Sequence, residues 1–152
     1  MKNDWTYRGK TFEPDETFDP KRVYGFVYCI TNDINQRKYI GKKLFWSKKT
    51  KMVKKKKKRL LVESDWRDYC GSCESLRKDI VEHGVEKFSR EILWMCVTKA
   101  HCTYMEMKEQ IDRDVLLSDQ YYNGYVGGRI NEMHLTRVSS VLMEQIAEMR
   151  KV

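Results

Sequence analysis

The alternation of apolar and polar positions along the chain predicts three strands. Residues 22–31 are rich in β-branched and aromatic side chains, and residues 37–42 repeat this composition after a polar stretch from Asn32 to Gln36. Two such runs joined by a short polar stretch are typical of a β-hairpin. Residues 88–97 read FSREILWMCV, which indicates a third, buried strand.

Helical spacing of apolar side chains predicts three helices later in the chain. The first runs from about residue 72 to 83, and Gly84 follows it as a C-terminal stop. The second runs from about residue 99 to 116, and the last covers residues 139–151. One apolar stripe of the second helix is expected to face the core: Ala100, Tyr104, Met107, Ile111 and Val115.

The order hairpin, helix, strand, helix predicts one small α/β (α+β) domain over residues 21–131. A chain of 152 residues has the length of a single domain. Residues 1–20 are polar with scattered aromatic side chains, and Pro14 and Pro20 discourage regular structure there. We therefore expect an N-terminal arm laid on the domain. Residues 132–152 contain the C-terminal amphipathic helix.

The basic charge of the chain is concentrated in one segment. Residues 42–59 contain eleven of the 30 lysines and arginines and no acidic residue, which leaves 19 basic against 22 acidic residues elsewhere, a net charge of −3. Such a block repels itself, so we expect an irregular loop or a frayed helix. A polyanion such as DNA is the natural partner, because each neutralised phosphate releases a counterion. The alternatives are a solvated loop, a transport signal or a segment that binds an anionic membrane surface.

The remaining composition predicts a cytoplasmic protein that does not enter a membrane. No apolar run approaches the ~20 residues that span a bilayer, and the N-terminus lacks the apolar core of a signal peptide. The chain contains five cysteines, an odd number that argues against a disulfide framework. Cys70-x-x-Cys73 and His101-Cys102 could bind zinc, but the spacing lacks two tight pairs and favours free thiols.

Two short motifs in the hairpin resemble those of the GIY-YIG nuclease family. Phe26-Val27-Tyr28 stands at the first motif, with phenylalanine in place of the usual glycine. Tyr39-Ile40-Gly41 matches the second motif, and its tyrosine follows that of the first by eleven residues. The resemblance covers roughly residues 22–130.

Later features add to the resemblance. Glu106 lies on the helix after the third strand, and Tyr122-Asn123 follows that helix, as in family members. The block ESDWRDYCGS at residues 63–72 looks like phage-borne members, which implies the cytoplasm of a phage-infected or mobile-element-bearing cell. For the fold, the resemblance implies a small three-stranded antiparallel sheet flanked by helices.

The resemblance implies a metal-dependent DNA endonuclease that hydrolyses phosphodiester bonds. Tyr28 would be the base that takes a proton from water, Tyr39 would assist it, and Asn123 would complete the site. A tyrosine serves as a base only if its pKa falls well below ~10. A carboxylate is the expected ligand for Mg²⁺ or Mn²⁺, so Glu106 would hold the metal. Glu109, one helical turn on, is the rival carboxylate.

The arginine that the family places after its second motif has no direct counterpart. Residues 44–50 contain no arginine, and the basic segment reaches its first arginine at Arg59. Either an insertion has displaced the arginine to Arg59 or a lysine replaces it; we favour Arg59, with Lys43 contacting phosphate from the strand end. The lysines expected to bind phosphate or DNA are Lys42, Lys43, Lys48, Lys49, Lys54, Lys55, Lys56, Lys57 and Lys58.

Two other functions are compatible with the sequence. A non-catalytic nucleic-acid-binding protein on the same scaffold would explain the missing arginine and the altered first motif. An interaction protein could instead use the basic segment on an acidic partner protein. The chain looks too short for a separate targeting domain, so targeting would come from the arm, a homodimer or a protein partner.

Overall fold

The fold is built on one mixed β-sheet, and a computed structural model describes it for residues 3–151. The strands are β1 (Trp5–Tyr7), β2 (Lys10–Thr11), β3 (Gly25–Asn32), β4 (Lys38–Leu44), β5 (Trp46–Val53), β6 (Lys56–Glu63) and β7 (Phe88–Cys96). The α-helices are α1 (Glu74–His83), α2 (Lys99–Asp112), α3 (Glu132–Leu135) and α4 (Ser139–Met149). The outermost positions of the expected arm and C-terminal segment, residues 1, 2 and 152, lie outside the described residues.

The hairpin that carries both motifs is confirmed. β3 and β4 pair antiparallel along the whole of β4. Asn32 builds the turn: its backbone N–H donates to the Arg37 carbonyl at 2.8 Å, and its side-chain oxygen accepts from the N–H of Ile34 at 3.0 Å. Asparagine stabilises turns in this way, so the polar stretch does what its composition predicts.

The sheet is larger than the three-stranded sheet that the resemblance implied. β3 lies between β4 and β7 and is antiparallel to both, which gives the three expected strands. β1 extends this sheet in parallel to β7, and β2 pairs antiparallel with β1. The expectation of an irregular arm is therefore wrong for residues 5–7 and 10–11. Both prolines lie after these strands, and Trp5 is buried with its indole N–H on the Trp66 carbonyl at 2.8 Å.

The basic segment is not the expected loop or frayed helix. Residues 46–63 form the antiparallel pair β5 and β6, a separate two-stranded sheet that we call the basic ribbon. Aromatic side chains fix its base: Phe45 is fully buried, and Trp46 donates its indole N–H to the Val23 carbonyl at 2.9 Å. The lysines beyond this base are exposed, so the high dielectric constant of water weakens their mutual repulsion.

β3 is buried on both faces of the sheet. Its side chains alternate between the two faces and join a different hydrophobic cluster on each. Phe26, Tyr28 and Ile30 join an aromatic cluster on the face covered by α1. Val27 and Cys29 join a second cluster with side chains of α2 and α4. The first motif therefore lies in the centre of the fold, between helices on both faces of the sheet.

α2 buries a different face from the expected stripe. Its buried side chains are His101, Cys102, Met105, Glu109 and Gln110, whereas Ile111 is 58% exposed. Two polar members of this face are paired through their side chains: His101 Nε2 lies 2.7 Å from the side-chain oxygen of Gln145, and Glu109 accepts from the Trp94 indole N–H at 2.7 Å. A search for apolar spacing misses a face that buries polar side chains in hydrogen bonds of this kind.

Candidate active site

A pocket of about 280 Å³ lies where β3, β4 and α2 meet the loops before α1 and after α2. It brings together Tyr28, Tyr39 and Glu106 of the expected site and one of the expected phosphate-binding lysines, Lys42. The full lining consists of Tyr28, Tyr39, Lys42, Ser72, Glu106, Gln110, Tyr125 and Gly127. No sequence motif marks the other four lining residues, because they lie in loops or on the buried face of α2.

Gly41 makes room for the first tyrosine. Tyr28 on β3 lies opposite Gly41 on β4, and the ring centres of Tyr28 and Tyr39 are 6.1 Å apart. A Cβ atom at Gly41 would lie 2.5 Å from the Tyr28 hydroxyl oxygen, which is too close for any other residue to fit without a shift. Gly71 also lies close to this hydroxyl, since a Cβ atom there would be 3.6 Å from the same oxygen.

Burial keeps both tyrosines protonated. Tyr28 is 1% exposed, and burial, together with its interactions with Tyr69 and Tyr39, raises its pKa well above the ordinary value. Burial also raises the pKa of Tyr39, although a hydrogen bond with Ser72 lowers it in part. A tyrosine in this pocket could lose its proton near neutral pH only if positive charge were added beside it.

Glu106 is the carboxylate of the pocket, and it forms an ion pair with Lys42. Lys42 Nζ lies 3.6 Å from Glu106 Oε1, and the Glu106 side chain is 14% exposed. Burial raises the pKa of Glu106, while Lys42 acts in the opposite direction. The rival, Glu109, is engaged elsewhere, because it accepts from Trp94 and forms an ion pair with Arg113 at 2.8 Å.

Gln110 adds an amide to the pocket wall, one helical turn after Glu106. Its side-chain nitrogen donates to the Ile40 carbonyl at 3.0 Å, which fixes the orientation of the amide. Its oxygen Oε1 is buried and has no hydrogen-bond partner in the described part of the chain. A buried acceptor without a partner costs about 1–3 kcal/mol, so a cation or a water bound to it would stabilise the site.

Asn123 holds the second motif in place. Its side-chain oxygen accepts from the Ile40 N–H at 3.0 Å, and its side-chain nitrogen donates to the Ile40 carbonyl at 2.8 Å. Asn123 is buried and does not line the pocket. This geometry gives Asn123 a positioning role: it fixes the backbone between Tyr39 and Gly41.

Arg59 does not join the tyrosines and Glu106. It lies on β6 opposite Thr50, because residues 46–63 form the basic ribbon between β4 and α1. Lys43 does not line the pocket: its Nζ lies 2.6 Å from the Asp65 carboxylate and 4.1 Å from the centre of the Tyr69 ring. The remaining expected lysines lie on the ribbon: Lys48, Lys49, Lys54, Lys55, Lys56, Lys57 and Lys58.

Arg77 is an arginine beside the pocket that the sequence reading missed. It lies in the first turn of α1 and donates its Nε–H to the Gly71 carbonyl at 3.0 Å. Gly71 packs over the Tyr28 hydroxyl, and the next residue, Ser72, lines the pocket. A signal was present in the sequence: once the basic ribbon is set aside, Arg77 lies on the first helix after the second motif.

Other candidate chemistry lies outside this pocket. All five cysteines are free thiols, as expected. Within residues 3–151, one group of three ligand-type side chains is close enough to share a metal ion: Asp79, Glu82 and His83 on α1, which do not line the pocket. Over the same residues, no helix combines the length and the apolar character needed to cross a bilayer.

The paired motifs on one hairpin, with a helix carboxylate facing them, define a class of domain. Residues 5–126 match the family model described as "Putative endonuclease segE, GIY-YIG domain". The chain therefore belongs to the GIY-YIG family, which confirms the resemblance seen in its sequence.

A particular relative comes from a bacteriophage. The chain is 32% identical over 127 residues to "Putative endonuclease segE" of Enterobacteria phage T4, and the alignment covers 83% of this chain and 53% of the relative. The chain thus spans about half the length of the curated relative that it matches. No solved structure matches the chain.

Proposed function

We propose that this chain is a divalent-cation-dependent endonuclease that hydrolyses phosphodiester bonds in DNA at the pocket between β3, β4 and α2. The observation that carries the proposal is the convergence of Tyr28, Tyr39 and Glu106 on one cavity. Membership of the GIY-YIG family and the printed name of the phage relative support a nuclease.

The oxygen atoms of the pocket suit Mg²⁺ or Mn²⁺. Glu106 offers a carboxylate and Gln110 a buried amide oxygen without a partner. Magnesium prefers such hard oxygen ligands and usually keeps several of its waters, so two protein oxygens suffice. Glu106 and Gln110 would hold the cation, which when bound neutralises charge that develops on the phosphate.

The two tyrosines orient the attacking water. Their raised pKa values keep them protonated until positive charge enters the pocket, so each hydroxyl can first accept a hydrogen bond from the water. Tyr28 would lose its own proton to solvent when positive charge lies beside it, and the resulting phenolate would then take a proton from the attacking water. The water oxygen forms a bond to phosphorus, the bond to one bridging oxygen breaks, and the leaving oxygen takes a proton from solvent.

Lys42 and Arg77 bind the phosphate. Lys42 lies in the pocket. If Glu106 held a cation, the ammonium group of Lys42 would no longer pair with Glu106 and could bind the phosphate. Arg77 reaches the pocket edge through Gly71, and a guanidinium binds two phosphate oxygens at once, which an ammonium cannot do. Arg77 thus takes the role that the sequence suggested for Arg59, and Asn123 positions the second motif.

A plasmid assay tests the proposal. Supercoiled DNA should be nicked or linearised with Mg²⁺, and EDTA should stop the reaction. Glu106→Gln should lower the rate by at least about 100-fold. Asp112→Asn is the matched control, because Asp112 is an exposed carboxylate on the same helix that pairs with Lys108 at the surface. Cleavage that survives both EDTA and Glu106→Gln would contradict the proposal.

A second candidate is a nucleic-acid-binding domain without catalysis. The observation that favours it is the Lys42–Glu106 ion pair, which already neutralises the carboxylate. In that case DNA would bind, no form of DNA or RNA would be cut, and Mn²⁺ would show no saturable binding that depends on Glu106. A Mn²⁺ titration therefore separates the two candidates.

A further inference from the structure

The basic ribbon is a projecting element with no core of its own. Its strands β5 and β6 hydrogen bond to each other and belong to no other sheet in the described chain. Each strand has eight residues, which at ~3.3 Å per residue gives a length of roughly 25 Å. The side chains from Lys48 to Met52 and from Lys56 to Leu61 are all exposed.

Both faces of the basic ribbon carry positive charge. The register places Lys48, Lys57 and Arg59 on one face, and Lys49, Lys51, Lys56 and Lys58 on the other. A flat anionic surface, such as a membrane, could neutralise only one of these faces. A groove of double-stranded DNA has phosphates along both walls and can neutralise both at once.

The tip of the basic ribbon carries lysines in a backbone conformation that is unfavourable for lysine. Lys54 and Lys55 connect the strands with φ angles of 50° and 63°, the left-handed values of a two-residue type I′ turn. Asparagine and glycine are the residues that favour this turn. Within the ribbon, Lys51 also lies directly opposite Lys58, a pairing of like charges that destabilises a hairpin. These four lysines oppose the fold of the free ribbon, and a bound polyanion would remove that opposition.

The base of the basic ribbon is rigid and adjoins the pocket. Phe45 links β4 to β5, is fully buried, and donates its backbone N–H to the Tyr24 carbonyl at 2.9 Å. The returning chain is tied at Ser64, whose N–H donates to the Phe45 carbonyl at 2.7 Å. Lys42, which lines the pocket, is only four residues before Trp46, so the position of the ribbon is fixed relative to the pocket.

We propose that the basic ribbon inserts into the major groove of double-stranded DNA and places a backbone phosphate of the same duplex in the pocket. The major groove is about 12 Å wide and admits a two-stranded β-ribbon. Exposed Leu60, Leu61 and Met52 lie among the lysines, where they can contact sugars and thymine methyl groups. This inference rests on the proposed function in taking DNA as the substrate and adds the form of DNA and the groove that is bound.

The main test removes the two lysines at the tip of the basic ribbon and keeps the type I′ turn. Lys54→Asn with Lys55→Gly removes two charges while installing the residues that the type I′ turn favours. Binding to a 30-base-pair duplex is measured by fluorescence anisotropy in EDTA over a series of salt concentrations. The slope of log K against log salt should become shallower by about 1.8, since each phosphate contact contributes about 0.9. An unchanged slope would overturn the proposal.

The matched control removes the same charge elsewhere. Lys87→Gln with Lys151→Gln also removes two exposed lysines, and Lys87 lies at the end of the sheet opposite to the one from which the basic ribbon leaves. Its slope should equal that of the wild type. A slope reduced as much as in the tip variant would mean that binding senses only net charge, and would overturn the ribbon as the contact.

The groove and the form of DNA are tested separately. Bound wild-type protein should protect guanine N7, a major-groove atom, from methylation by dimethyl sulfate, and the tip variant should protect it less. Netropsin, which fills the minor groove, should not compete. Equal ribbon-dependent binding to single-stranded DNA or to vesicles of phosphatidylserine would overturn the proposal. Because these measurements use EDTA, they stand even if no cleavage is found, which would count only against the proposed function.

Discussion

Two antiparallel hairpins follow each other directly in this chain, and their side chains differ in burial and charge. In β3–β4, packing decides: Phe26, Val27, Ile30 and Ile40 are fully buried, and Gly41 is needed for the Tyr28 ring. In the basic ribbon, charge decides: lysines occupy exposed strand positions and even the left-handed turn. The difference suggests a division of labour, in which the buried hairpin positions the chemistry and the exposed one holds the substrate.

The largest expected effect separates Arg77, beside the pocket that the buried hairpin helps to form, from Arg59 on the basic ribbon. Arg77→Ala should lower the cleavage rate by about 10²–10³-fold, because a guanidinium that stabilises charge on the phosphate is lost. Arg59→Ala should leave the rate at saturating DNA unchanged and only flatten the salt dependence of binding by about 0.9. Single-turnover rates at saturating DNA check this contrast. Equal losses of rate from the two substitutions would contradict separate roles for the pocket and the basic ribbon.

Gly41→Ala should break the buried hairpin. The new Cβ would lie 2.5 Å from the Tyr28 hydroxyl, and overpacking of this kind lowers the free energy of unfolding by about 1–3 kcal/mol. Gly124→Ala is the control, since a Cβ there meets nothing within 4 Å. Lys55→Gly in the basic ribbon should instead stabilise the fold by up to about 1 kcal/mol, because glycine tolerates the left-handed turn. Urea unfolding measures all three; no loss in Gly41→Ala would refute the packing account.

Gln110 gives a smaller effect that reports on the pocket alone. Gln110→Met should weaken Mn²⁺ binding by about tenfold, whereas Gln110→Glu should strengthen it. Both variants lose the nitrogen that donates to Ile40, so both should be less stable. A purely structural role predicts the same Mn²⁺ affinity for both variants in the folded protein. Electron paramagnetic resonance of free Mn²⁺ measures the affinity.

The smallest effect is the pH dependence of stability from Glu106. Burial raises its pKa, so the folded state keeps a proton that the unfolded state releases as the pH rises above about 4. The unfolding free energy of the wild type should therefore fall relative to that of Glu106→Gln between about pH 4 and neutrality, and level off above the folded pKa. Arg59→Gln, in the basic ribbon, should leave this pH dependence unchanged. A difference between wild type and Glu106→Gln that does not vary with pH would contradict the burial account.

The same contrast explains what could be predicted from the sequence. The β3–β4 hairpin, β7 and α1 follow from local composition, since buried strands and helix stops have strong signals. The basic ribbon could not be foreseen, because lysine runs are poor strand formers and its base depends on Phe45 packing against distant aromatic residues.

Within the site, residues that belong to a sequence motif could be predicted, whereas residues brought in by the fold could not. The motifs identified Tyr28, Tyr39 and Glu106, which meet in one pocket. Gln110 was missed because it lies on the buried face of α2, where its side chain donates to the Ile40 carbonyl, seventy residues away along the chain. Arg77, which we propose for the phosphate, was missed because the basic ribbon separates it from the second motif along the chain, although its side chain donates to Gly71 beside the pocket.

The joined base of the basic ribbon has a consequence for how such domains diversify. Ser64 bonds to both Leu44 and Phe45, so the chain leaves and re-enters the domain at almost the same point. A two-residue turn or an eighteen-residue hairpin could therefore occupy this position without moving Tyr39 or Lys42. We therefore expect that residues 46–63 can be replaced as a unit, so that the proposed DNA contact changes while the residues lining the pocket keep their positions.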